Sequence, residues 1–487
     1  MMRSLYSGVS GLKVHQTRMD VIGNNISNVN TVGFKSSNVT FADVLYQTSS
    51  NATGPNAETG RAGQNAMQIG LGAGVSAITA SIETTGGSQR TDNPFDIMIE
   101  GSGFFIVNNG SGNYFTKAGS FGIDANGTLC NAGGYAVMGW QVDPNDPTKT
   151  VADAVSPLRV MTADTMYSAP EATKAVNFSG NIDSADTSFD SETGKLTSFS
   201  FFDNLGRSYT VNMRLTQLLD NDGTQIEHQY SVQITDVLDS NGDSILVSFD
   251  DAGDAQETGV NLSFGGVDFS VETDGSDYSL TQDGSLVLSF DPKTGYFSSI
   301  ASADTTLADD ETYHSVDFVI ALDEVDANPF PAAIDVDFSS LTMFAQSGTT
   351  KIEPTKGDLS GQNTGRAAGK MTGMTVDNFG MIYGVYDNGT SRLLGQIVVA
   401  TFSNPSGLEA MGGSLFATTQ NSGEFDGIGE NISASGGKFK TGVLEMSNVD
   451  LSTEFTNMIT TQRGFQANSR IITTSDTLLE ELINLKR

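Results

Sequence analysis

Cysteine is almost missing: Cys130 stands alone in 487 residues, so no disulfide can close within one chain. Taken by itself, that suits a reducing compartment. It suits equally a chain that crosses a membrane unfolded and relies on packing afterwards. In "NGTLCNAGGY" no metal-ligand spacing surrounds Cys130, which reads as a small packed residue rather than a nucleophile. Histidine occurs three times, at His15, His228 and His314, none near Cys130 in sequence. No nucleophile elbow or metalloprotease spacing is present. Catalysis needs a concentrated set of titratable groups, and here the carboxylates are scattered through turns. No enzymatic activity and no cofactor are expected. Asp239, Asn241 and Asp243 match the opening of a calcium loop, with Asp250 twelve positions along, but Ser244 replaces the loop glycine and "SILVSF" follows as a strand. A hairpin turn is the better reading, and no metal site is expected.

Basic residues are also scarce, 25 against 58 acids, for a formal net charge of −33. Such a chain repels nucleic acid and anionic lipid, which excludes both as expected partners. The first forty residues are the exception, with Arg3, Lys13, Arg18 and Lys35 against Asp20 alone. No run approaches the roughly 18 to 20 apolar residues of a membrane helix, so no membrane insertion is expected. "MMRSLYSGVSGLKVHQ" lacks the continuous apolar stretch of a secretory signal. If the protein leaves the cell, the expectation is a route that cleaves no leader.

What the chain does have is 54 glycines and many Asp-Gly and Asn-Gly turns, a composition that favours β structure. Its length suits about three domains on a prior of about 150 residues each. The two ends differ in kind from the rest. Leu5, Val9, Leu12, Met19, Ile22, Ile26 and Val29 recur at helical spacings. Yet Asn24, Asn25, Asn28, Asn30 and Asn38 crowd the place where that helix should gain strength, and asparagine amides compete for nearby backbone groups. At the far end Leu451, Met458, Phe465, Ile472 and Leu479 fall every seven residues, with Phe455, Leu482 and Ile483 alongside. Ser447, with Asp450 three later, offers a helix start, and a helix from there to Leu485 runs about 55 to 60 Å. Gln462, Ser469 and Asp476 are polar, so the seam is narrow. Two readings stay open: an amphipathic helix on a globular core, or terminal helices that meet each other or other copies.

Between the ends, residues 33–90 read as an extended linker rich in Gly, Ser, Thr and Asn. Its Gly70, Gly72 and Gly74 lack the Lys-Ser/Thr ending of a phosphate loop. Short strands such as "FFIVNN" and "YAVMGWQV" place a β domain at 91–165, split from its second half at 360–446. Residues 166–359 form an acidic insert in which Tyr209, Val211, Met213 and Leu215 alternate, as do Ile334, Val336 and Phe338. Turns such as "DNLG", "DNDG", "DSNGD" and "DPKTG" punctuate it. The expected fold is mixed and mainly β. A split β domain carries an inserted β-sandwich or meander domain, long enough to contain an extra lobe. The N- and C-terminal helices, 1–32 and 447–487, pair as a coiled-coil-like inner domain.

"SLYSGVSGLKVHQTRMDVIGNNISNVNTVGFK" with "LEMSNVDLSTEFTNMITTQRGFQANSRIITTSDTLLEELINL" resembles the two terminal signatures of the bacterial flagellar rod and hook axial proteins. The signature positions are Asn24, Asn25, Asn28, Gly33 and Phe34, then Asn448, Asp450 and Arg463. "NPFDIMIEGSGFFIV" and "SRLLGQIVVATFSNPSGLEAMGGSLFATT" are similar to the hook branch of that family. The resemblance implies a non-enzymatic subunit that polymerises into a curved tube outside the cytoplasmic membrane, a universal joint carrying torque from rod to filament. It implies as partners further copies of the chain, a distal rod protein, a hook cap, hook-filament junction proteins and the flagellar export apparatus. Subunits would leave the cell unfolded, without a cleaved signal, and add at the distal end. Self-assembly would rest on Leu5, Val9, Leu12, Met19, Ile22, Ile26 and Val29 at one end. At the other it would rest on Leu451, Phe455, Met458, Phe465, Ile472, Leu479 and Leu482. The alternatives are another rod or hook-associated axial protein, or a secreted β-rich adhesin or ligand-binding module.

Overall fold

The computed structural model describes residues 2–55, 60–190, 194–219, 225–250, 253–275, 277–302, 313–322, 328–346 and 348–485. The turn expected at Asp220-Asn221-Asp222-Gly223 lies outside them. The chain divides into two compact units. The first takes residues up to Met166, Met371–Val385 and the chain from Ser391 onward; the second takes Tyr167–Lys370 and Tyr386–Thr390.

In the first unit, helix α1 spans Met2–Ser27 and helix α2 spans Leu451–Asn484. The asparagines end α1. Asn28 donates its backbone N–H to the carbonyls of Asn24 and Asn25, both at 3.2 Å, and its side chain returns to the Asn24 carbonyl at 3.0 Å. Val29 therefore lies in the turn beyond the helix and not on its apolar stripe, a correction to the spacing argument. The start of α2 is corrected as well. Asp450, not Ser447, is the cap, and its carboxylate accepts from the backbone N–H groups of Ser452 and Thr453. The 34 residues that follow give a helix of roughly 51 Å.

Residues expected to form a linker are instead paired strands. Strand β1 (Ser37–Asp43) runs antiparallel to β4 (Ala73–Ala80), and β2 (Tyr46–Ser50) runs antiparallel to β3 (Met67–Gly70). Both faces of this ribbon are largely open, so pairing here leaves no hydrophobic alternation to read. Residues 56–59 of the stretch lie outside the described part.

The β portion of this unit is built around Phe104–Asn108, hydrogen-bonded to Asn113–Thr116 on one side and Ala136–Trp140 on the other. Both faces of Phe104–Asn108 are covered, which is why its apolar run is continuous. Phe105 and Val107 join Ile97, Ile99 and Phe439, whereas Phe104 and Ile106 join Phe115 and Phe416. Strands from beyond the insert complete the sheet, with Gly139 opposite Ile397 and Phe105 opposite Val399.

The second unit holds a seven-stranded and a five-stranded sheet around one core. Phe178 and Phe338 of the larger sheet stack at 4.8 Å, and Phe199 of the smaller one meets Phe178 and Phe318 edge-on. The alternation at Tyr209, Val211, Met213 and Leu215 points all four side chains into that core. It is not a pure meander: Ala175–Asn181 pairs parallel with Ile334–Thr342 and antiparallel with Lys351–Lys356, so the segments entering and leaving the unit lie side by side. The calcium-like turn is a hairpin turn, with the Asp239 carboxylate accepting from the N–H groups of Asn241 and Asp243.

Candidate assembly surface

Helices α1 and α2 meet within the chain, along a seam to which the heptad stripe contributes only in part, through Ile472. The residues in contact are mostly small or polar, joined by Ile472. A Cβ on Gly8 would lie 3.1 Å from Ile472, one on Gly11 would lie 2.6 Å from the Asn468 amide, and one on Gly464 would lie 2.6 Å from the His15 ring. Ser4 and Ser475 share a hydrogen bond at 3.4 Å, Arg18 donates to Asn457 at 3.2 Å, and Thr461 is buried. On α2 the row Glu454, Thr461, Asn468, Ser475 also repeats every seven residues, three positions after each member of the apolar row. Small side chains let the two backbones approach closely, and the buried apolar residues of α1 are Val14 and Ile22. Burial holds the His15 imidazole below its ordinary pKa, with Arg18 acting in the same direction, and its Nδ1 has no partner among the described residues.

Most of the apolar row is therefore turned away from the seam, with Ile472 against Gly8 as the exception. Leu451, Phe455, Phe465 and Leu482 are exposed, as is Ile459 at 58%; Met458, Ile472 and Leu479 are half-buried. On α1 Val9 is exposed, Leu5, Leu12, Met19 and Ile26 are half-buried, and Ile22 is buried; Val29 in the following turn is half-buried. Covering one such leucine or phenylalanine contributes about 1.5 to 3 kcal/mol, so the open row is a large unused driving force.

The signature residues fasten the helices to the β portion of the same unit. The buried Asn25 amide donates to the Ser37 carbonyl at 2.8 Å and to Glu454 at 3.0 Å, and accepts from the Ser37 N–H at 3.0 Å. This answers the question the asparagines raised: they end α1 and sew it to β1 and α2. Asn448 accepts from the Ser36 N–H at 2.7 Å and donates to the Ser81 carbonyl at 2.9 Å. Gly33 has φ +66°, and a Cβ there would lie 2.7 Å from the Ala118 nitrogen; its N–H donates to the Glu445 carbonyl at 2.9 Å. Phe34 is half-buried beside it and Arg463 is exposed on α2. The Asp450 carboxyl is held below the usual range by Thr453 and by the helix N–H groups it caps.

One cluster escaped sequence reasoning. Lys35 and Glu445 form an ion pair at 2.7 Å with side chains 2% and 0% exposed. The Lys35 ammonium also donates to the Thr84 carbonyl at 2.7 Å, and the Gly86 N–H donates to Glu445 at 2.9 Å. Close by, burial pushes the Lys117 ammonium down to about 8, with Lys35 adding to the effect and Glu445 opposing it. Because 410 residues separate the pair, no local spacing announces it. Among the described residues no group of histidine, cysteine or acidic side chains is placed to hold a metal, and no helix is long and apolar enough to cross a membrane.

Three family patterns match: "Flagella basal body rod protein" over 5–35, "Flagellar hook protein FlgE/F/G D1 domain" over 98–167 and "Flagellar basal body rod FlgEFG protein C-terminal" over 440–485. The chain is 33% identical to the flagellar hook protein FlgE of Treponema pallidum and 34% identical to that of Borreliella burgdorferi, each alignment covering 100% of both chains. The flagellar basal-body rod protein FlgG of Bacillus subtilis is 27% identical, again over 100% of both. Among solved structures, Helicobacter pylori flagellar hook protein FlgE2 aligns over 72% of this chain and 99% of its own. At 14% identity and a TM-score of 0.32 it carries no argument about this fold.

Proposed function

The chain belongs to the flagellar hook protein family and is a structural subunit of the flagellar hook, and from that premise we propose how it assembles. The terminal domain, 1–32 with 447–487, lines the inside of the polymer, where neighbouring copies cover the apolar row of α2 and the exposed face of α1. The carrying observation is the division of labour on α2: small and polar residues serve the contact within the chain, leaving Phe455, Ile459, Phe465 and Leu482 open. A helical polymer offers each copy the same neighbours, so a stripe repeated every seven residues along α2 is covered along its length.

The finer functional reading follows from the same arrangement. The tube acts as a curved universal joint between rod and filament, and contacts a distal rod protein at its base and a cap and junction proteins at its tip. Subunits pass the export apparatus unfolded, with no leader removed, and add at the distal end; a chain with one cysteine has no disulfide to hinder that passage. The work is mechanical, with no catalytic step and no cofactor.

Negative-stain electron microscopy of the concentrated chain tests this. Tubes are expected from the unaltered protein, and dispersed monomers with an intact β signal from Phe465→Glu or Leu482→Glu. Tubes formed equally well by both variants would refute the assignment of α2.

A further inference from the structure

The first unit carries two open apolar features far from each other. One is a groove of about 1530 Å3 walled by the C-terminal half of α1 (Val21, Asn24), by Ile78 of β4, and by Tyr114, Tyr135 and Met411 of the β portion. The other is the β2–β3 end of the ribbon, where Val44, Leu45, Tyr46, Met67 and Ile69 are between 46% and 63% exposed. A two-stranded ribbon open on both faces is marginal in water without a layer behind it.

The ribbon cannot fill its own groove. β1 starts beside Asn25, bonded to it through Ser37, and the ribbon then follows α1 backward until Gly72 lies against Ser7 and Ser10. From Asn24 to Ser7 is roughly 25 Å of helix, and β2–β3 lies beyond that point. Groove and ribbon end therefore sit at opposite ends of α1. Contact between two different patches on identical copies is head-to-tail, and repetition of such a contact generates an open helix rather than a closed dimer.

Charge permits the approach. In a chain of net charge −33, residues 44–82 hold one acid and one base, Glu58 and Arg61. The groove wall shows solvent a single exposed acid, Asp20, and Lys35 there is already paired. Over the acidic insert like charges oppose contact between copies; at these two patches they do not.

We propose that the β2–β3 ribbon end of one copy docks into the α1 groove of a neighbouring copy, as a head-to-tail contact of the polymer. The inference rests on the hook-subunit reading and adds the surfaces that meet. In a Cys130→Ser background, Ile69→Cys and Ala132→Cys chains are mixed in equal amounts, polymerised and treated with a short bismaleimide. A cross-linked dimer containing one of each is expected in the mixed tubes, and neither in the dilute mixture nor in tubes of either variant alone. Mixed tubes without that dimer overturn the docking while leaving the subunit reading intact. Failure of the unaltered chain to make tubes overturns both. If only the variants fail to polymerise, electron cryomicroscopy of the unaltered tube decides. Ribbon density in the groove supports the docking, and an empty groove or another segment there overturns it.

Discussion

Replacing Glu445 with alanine should destabilise the first unit more than any single surface change. Glu445 stands just before α2 and Lys35 just after α1, and their 2.7 Å contact joins the two segments. Removing the carboxylate leaves the Lys35 ammonium buried without its counter-ion, strips the Gly86 N–H of its acceptor, and leaves Lys117 beside an uncompensated like charge. Breaking a buried pair from one side costs about 3 to 5 kcal/mol, whereas replacing both partners with apolar residues of similar size is often neutral. The double variant Lys35→Met with Glu445→Leu should therefore recover most of the loss. Urea titration followed by Trp140 fluorescence reads this directly, since it is the one tryptophan and belongs to the first unit. A loss under about 1 kcal/mol, or a double variant as unstable as Glu445→Ala, would refute the reasoning.

Lys117 supplies a pH test. Its folded pKa of about 8 lies below the unfolded value of 10.5, so above pH 8 the unfolded chain binds more protons and stability rises with pH. The expected gain is about 1.5 kcal/mol between pH 8 and 9.5; Lys117→Met should flatten that slope, and a flat profile in the unaltered chain would contradict the burial argument. The seam supplies another. Gly23→Ala, with nothing within 4 Å of the new Cβ, should stabilise α1 by about 0.5 to 1 kcal/mol. Gly464→Ala should instead displace the His15 ring and speed amide exchange in α1. Equal stabilisation by both would show that the helices do not meet as closely as described.

How much of this was legible in the sequence depends on whether the signal was local. The alternation from Tyr209 to Leu215 needs only its own strand, and the terminal helices only their own spacing, so both could be read. The seam could not, because the apolar row of α2 drew attention from the smaller row three residues away. Gly8 with Gly11, and Thr461 with Gly464, each pair three residues apart, were the available signal. The ribbon looked like a loop because strands open on both faces carry no alternation. Lys35 and Glu445 meet only because the split chain returns to its own beginning, which no spacing in the sequence encodes.

The decisive measurement is thiol labelling of Ile459→Cys and Leu482→Cys in a Cys130→Ser background, with Leu196→Cys in the second unit as control. All three positions are exposed in the single chain. The account predicts rapid labelling of all three in dilute monomer, and at least about tenfold protection of 459 and 482 in tubes, while 196 stays reactive. Labelling of 459 and 482 at the monomer rate inside intact tubes would contradict it.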